Sequence, residues 1–215
     1  MDETENLLRA VSATRVGWLD AFPDKTVYQL ILESDATPFI LRARQLAEYI
    51  VAHKIRDIAG DMIEGYNPSH DLCRNVINAA VELAGSMGRK VARNLAFALA
   101  GNPGGEAKGP KPLKVVLLDE SALSAKQAAA MNYSALRHEV ELALRTFGKE
   151  AFASETFYDA SELGDEPATV PPYYETYGEK QVASGHYAHV IRYQVHVKPL
   201  VAAIRKGLGL SAPKT

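Results

Sequence analysis

Cysteine is nearly absent from these 215 residues: Cys73 stands alone, so no internal disulfide can form, and packing has to hold the fold in what is expected to be a reducing compartment. No apolar run approaches the roughly 20 residues that a membrane span needs. The start, Met1-Asp2-Glu3-Thr4-Glu5, is acidic where a secretory signal is basic and then apolar. The expectation is therefore a cytoplasmic protein without a membrane partner. Tryptophan occurs once, and no segment carries a complete catalytic or metal-binding motif. No cofactor is expected.

What is present is ordinary globular composition, 47% apolar and 23% charged. The net charge of −2 is unevenly spread. Residues 1–85 carry −5 and residues 115–215 carry −2, whereas the window from Ser86 to Lys114 carries +5. Its basic residues are Arg89, Lys90, Arg93, Lys108, Lys111 and Lys114, against Glu106 alone. Such a patch suits nucleic-acid phosphates, although cations near a helix C-terminus also complement the helix dipole.

Apolar spacing predicts a helix from Glu5 to about Leu19 and a buried strand from Lys25 to Glu33. Thr37-Pro38 opens a second helix running to about His53, which Val51, Ile55, Ile58 and Met62 prolong or bend toward Gly65. Asn67-Pro68 repeats the start signal before a long helix, roughly Pro68 to Ala100, carried by Leu72, Val76, Ala80, Leu83, Met87, Val91, Leu95 and Ala98. Residues 101–112 form a Gly/Pro/Lys linker. Leu113 to Leu118 is a strand, and a helix opens near Ser124 to Gln127, pauses at Asn132 and resumes through Leu136, Val140, Leu144 and Phe147. A strand from His186 to Val197 and a helix from Pro199 to about Leu208 close the chain. The expected class is α+β: a helix-rich first two-thirds, with a small mixed or antiparallel sheet drawn mainly from the C-terminal third. The expected organisation is 1–100, the linker, and 113–215, as one domain or two.

Several segments invite a chemical reading. Gly104 and Gly109 have P-loop spacing with Lys111 nearby, but Pro110 follows where Lys and Ser/Thr are needed. Asp159, Ser161, Gly164 and Asp165 begin like a calcium loop, but Val170 stands where the bidentate Glu belongs. His70-Asp71, with His53 and Cys73, resembles part of a metal phosphohydrolase set, and a place in the first turn of a helix explains it more simply. Asp119 ends a strand where α/β sheets place functional carboxylates.

The stretch 186–197 is the richest. Period two places His186, Arg192, Gln194 and His196 on one face of a strand and aromatic or aliphatic residues on the other. A hydrolase reading takes His186, Arg192 and His196, with Asp119, as catalytic candidates. A contact reading takes Tyr173, Tyr174, Tyr177 and Arg192 as the partner-binding surface, since tyrosine and arginine anchor interfaces. Tyrosines would also stack bases beside the basic patch. Nine of the 17 aromatic residues fall between Phe147 and Tyr193.

The order of Leu136-Arg137-His138-Glu139-Val140-Glu141-Leu142-Ala143-Leu144, Phe157-Tyr158-Asp159, an acidic loop, Pro171-Pro172-Tyr173-Tyr174, then Ile191-Arg192-Tyr193-Gln194-Val195-His196-Val197 resembles tailed-phage tail-terminator and neck-type proteins. The likeness covers the C-terminal third and rests on apolar positions and element order. It departs at Tyr174-Glu175-Thr176-Tyr177, polar where that family has an apolar strand. It implies a non-enzymatic, ring-forming virion component. The leading expectation is a non-catalytic assembly or protein-interaction protein that binds a protein partner or itself, because missing catalytic motifs, a two-faced aromatic strand and an acidic loop fit a contact surface better than an active site. The alternatives are a nucleic-acid-binding or regulatory module and a hydrolase.

Overall fold

A computed structural model describes residues 3–16, 22–89, 91, 93–104 and 110–212. Along the chain run α1 (Glu3–Ala10), α2 (Asp24–Glu33), α3 (Thr37–Ala52), β1 (Asp57–Asp61), α4 (Pro68–Ser86) and β2 (Arg93–Phe97). There follow β3 (Lys114–Leu117), α5 (Glu120–Asn132), α6 (Arg137–Phe147) and β4 (Ser154–Asp159). Last come α7 (Tyr173–Ala183), a π-helical turn (Tyr193–Val197) and α8 (Lys198–Gly207). The fold is α+β with a mixed sheet.

The contacts group the chain differently from a division at 101–112. A larger unit comprises 23–99 and 158–215, and a smaller one comprises 1–22 and 100–157. In the larger unit β1 and β2 run parallel, joined through α4, and the end of β4 pairs antiparallel with β2 at Leu95 and Ala96. In the smaller unit β3 runs antiparallel to the start of β4. Three of the four strands thus precede the C-terminal third, which contributes only β4.

The core of the larger unit is built where α3, α4 and α8 meet. Phe39, Ala43, Ala47 and Ile50 recur at helical spacing on α3, and Ala79, Ala80 and Ala84 let α4 approach closely. Leu200, Val201 and Ile204 complete it from α8. Buried Arg74 on α4 ties this core to the sheet, donating to the Leu95 carbonyl (3.0 Å) and to Asn94 (3.0 Å).

Four expectations are corrected. Residues 25–33 are helix α2 rather than a strand, because a short apolar run fits either state and Pro23 supplies a helix start at Asp24. α3 ends at Ala52 instead of bending toward Gly65, and Asp57 to Asp61 enters the sheet. The helix after Asn67 stops at Ser86, since a turn with Gly88 at φ +88° follows and residues 93–97 pair with β1. The segment 186–197 is not a strand. Among the described residues nothing pairs with it, and Tyr193 and Val197, both buried four positions apart, begin a helical face that Leu200, Val201 and Ile204 continue.

Other expectations hold. The Asn67 side chain caps α4 by accepting from the Ser69 N–H at 2.9 Å. α3 begins at Thr37-Pro38, β3 lies within Leu113 to Leu118, and the helical stretch after it is interrupted after Asn132. α5 opens at Glu120, earlier than Ser124 to Gln127 implied. α1 is shorter than expected, ending at Ala10, and the expected extension to Leu19 runs partly outside the described residues. No helix among the described residues is long and apolar enough to cross a membrane.

A candidate binding cleft lined by tyrosine

The larger unit holds a cavity of about 710 Å3 between α2, the start of α4, α7 and the segment 186–191. Its construction begins at Gly65. That residue has φ +68°, a conformation costly for residues with a side chain, and an added Cβ would meet Pro172 at 2.8 Å and Pro167 at 3.1 Å. Two bonds hold the turn. Gly65 N–H donates to the Asp71 carboxylate (3.1 Å), and its carbonyl accepts from Tyr174 N–H (3.2 Å). The turn thereby sets Tyr66 beside Tyr173, with ring centroids 5.4 Å apart and planes 4° from parallel.

α7 carries the row onward. Tyr173 and Tyr177, one turn apart, stack at 5.9 Å, and Tyr177 meets Tyr187 edge-on at 6.5 Å. Tyr187 is delivered by the end of α7: Gly185 takes φ +76°, and the N–H groups of His186 and Tyr187 both donate to the Gln181 carbonyl. The chain then crosses α7 at Gly178, where an added Cβ would stand 3.2 Å from Val190. The four tyrosine residues are between 41% and 54% exposed, so each still presents surface for contact.

The remaining wall is polar in a selective way. Lys25, His186 and His189 line it, and among the described lining residues there is no carboxylate. The two acidic residues of α7 are turned to Arg192, which reaches Glu175 at 3.3 Å and Glu179 at 2.9 Å. Glu175, buried, also accepts from the Tyr193 N–H at 2.6 Å. Tyr28 donates to Asn67 (3.4 Å). Tyr174, 6% exposed, has a hydroxyl oxygen with no hydrogen-bond partner among the described residues. Burial, with Asp71 nearby, pushes its phenol well above the usual value, so it keeps its proton.

Beneath the cleft lies a structural polar cluster. Asp71 is buried, and desolvation raises its carboxyl from 3.8 to about 6 despite two backbone N–H donors. His70 pairs with Asp61 on β1, and that hydrogen bond raises its imidazole above the ordinary value. Both residues therefore fasten the start of α4, as their place in its first turn implied.

The candidates read from sequence separate. Tyr173, Tyr174, Tyr177 and His186 come together in the cleft. Arg192 is engaged by Glu175 and Glu179, and His196 Nδ1 accepts from the Arg192 N–H at 2.8 Å, so neither is among the lining residues. Asp119, in the smaller unit, caps α5 by accepting from Ala122 N–H (2.8 Å). In the basic window, Arg93 makes a two-pronged pair with Asp57 and Arg89 donates to the carbonyls of Lys54 and Ile55. Lys111 and Lys114 are exposed in the smaller unit, and Lys90 and Lys108 lie outside the described residues. Within 159–165, the Asp159 carboxylate accepts from Ser161 N–H (2.8 Å) as a local turn. No group of three or more potential metal ligands occurs among the described residues.

Tyr66, Tyr187, Lys25 and His189 escaped sequence reasoning as site residues. Tyr66 sits beside a recognised helix cap, yet its partner Tyr173 is more than a hundred residues away. No family model, curated protein or solved structure matches this chain.

Proposed function

We propose that this chain is a non-catalytic recognition and assembly protein whose recognition site is the tyrosine-lined cleft. The observation that carries the reading is the row Tyr66, Tyr173, Tyr177 and Tyr187, four consecutive stacked or edge-on rings left half-exposed beside a cavity of ligand size. Of the hydrolase candidates, Arg192, His196 and Asp119 each have a structural partner of their own, and His186 alone lines the cleft.

Magnitudes say what such a site needs. At roughly 200 Å2 per ring, the four tyrosines leave on the order of 400 Å2 uncovered. Covering half of that contributes about 5 kcal/mol at about 25 cal/mol per Å2. Association costs at least about 4 kcal/mol, so ring burial alone yields weak binding and polar groups must supply the remainder. The test is a set of 1H–15N spectra of the full chain recorded with mixtures of aromatic and aliphatic fragments. Shifts clustered at Tyr66, Tyr173, Gly178 and Tyr187 are expected for aromatic members, and no clustered shifts for any class would overturn the reading.

Assembly has its own support in the smaller unit. Val115 and Leu117 share one face of β3 and are 49% and 80% exposed, and Leu113, just before the strand, is 51% exposed. α1, α5 and α6 bury none of their residues, and Leu136, Leu142 and Phe147 are exposed. Uncovered apolar faces of this kind favour association, and a second copy of the chain is the partner we propose. It fits the ring-forming role implied by the tail-terminator resemblance.

A further inference from the structure

We infer that the cleft binds a small planar aromatic compound carrying an anionic acceptor group, the chemistry shared by nucleotides and aromatic carboxylates. The inference rests on the cleft being a recognition site and adds the class of its ligand. Two observations converge on it.

The first is shape and surface. A row of tyrosine rings, two of them within 4° of parallel, presents flat π faces and edges to a cavity of about 710 Å3, enough for a two-ring compound with a substituent. Aliphatic ligands gain burial there, but flat rings gain the offset-stacked and edge-on geometries as well.

The second is charge. Aromatic walls alone would suit a cation equally, because ring faces attract ammonium groups. A cation site normally adds a carboxylate. Here no carboxylate appears among the described lining residues, Glu175 and Glu179 are both turned to Arg192, and the polar lining comprises Lys25, Gln29, Asn67, His186 and His189 beside the tyrosines. The polar lining is thus rich in donors, and its one charged side chain is the cation Lys25.

A hydrogen bond from the Lys25 ammonium to an anion is charge-assisted and stronger than a neutral one.

The experiment is a calorimetric or NMR titration of the full chain with naphthalene-2-carboxylate, its neutral carboxamide, adenosine 5′-monophosphate, adenosine and benzyltrimethylammonium. At least one anion should bind about tenfold more tightly than its neutral counterpart, a difference on the scale of one charge-assisted bond. Preference for the monophosphate or for the carboxylate then identifies which member of the class the site takes. Lys25→Ala should weaken the anion about fivefold. Equal binding of charged and neutral compounds in the cleft, tighter binding of the ammonium, or anion selectivity surviving Lys25→Ala would overturn the anionic ligand while leaving the cleft a recognition site. Failure of all five compounds to perturb the cleft would overturn both.

Discussion

The Asp71 carboxylate accepts from the Gly65 backbone N–H at 3.1 Å, fastening the first turn of α4 to the turn that presents Tyr66. Because Asp71 is buried, its folded pKa of about 6 lies above the ordinary 3.8, so the native state holds this proton more tightly than the unfolded chain. Stability from this group is therefore greatest at low pH and is lost as pH rises from about 4 to about 6, by roughly 3 kcal/mol at most. His70 has a raised value as well, and its contribution is complete below its ordinary pKa and lost as pH climbs through the folded one. Urea denaturation from pH 4 to pH 8 should show both losses. Asp71→Asn should remove the lower and His70→Gln the upper, and an unchanged slope between pH 4 and pH 6 in Asp71→Asn would contradict the account.

Gly65→Ala should destabilise the larger unit by about 2 kcal/mol or more, the combined effect of a left-handed backbone at φ +68° and a Cβ 2.8 Å from Pro172. It should also disturb the Tyr66–Tyr173 stack, which near-ultraviolet circular dichroism reads directly. By contrast Gly88→Ala has a positive φ with nothing within 4 Å and should cost only the backbone strain, about 1 kcal/mol.

Glu175 is buried and serves both the Tyr193 N–H and Arg192, so Glu175→Ala should cost about 3 kcal/mol. Glu175→Gln keeps an acceptor and should cost less. Arg192→Ala, at an exposed guanidinium, should change stability least of the three. Were Arg192→Ala the most damaging of the three, Glu175 would not be the organising residue.

Leu117→Asp, on the exposed face of β3, should leave the melting temperature nearly unchanged and reduce association, seen by light scattering after size exclusion. A wild-type chain that stays monomeric from micromolar to several hundred micromolar concentration would remove the self-association reading.

Oligonucleotide binding should be weak, because Arg93 is held by Asp57 and Arg89 by two carbonyls. Six free phosphate contacts would give a slope near −5 in log affinity against log salt. A shallower slope is expected, and a value near −5 would restore the nucleic-acid reading.

Local chemistry in the sequence determined the helix starts at Thr37-Pro38 and Asn67-Pro68, the strand at 114–117 and the break after Asn132, since capping groups, proline and short-range periodicity act within a few residues. It also singled out Tyr173, Tyr174 and Tyr177 as candidates for partner contact, of which Tyr174 lies buried in the core. Only the tertiary structure decided the states of 25–33, 93–97 and 186–197, where apolar residues fit helix or strand and the partner settles which. Residues 93–97 became β2 because β1 offered unpaired backbone, and 193–197 turned helical because Tyr193 and Val197 reach the α8 core. The cleft belongs to this second class. Its rings come from residues 66, 173, 177 and 187, which meet through Gly65, Asp71 and Gly185, and such long-range convergence leaves no pattern along the chain.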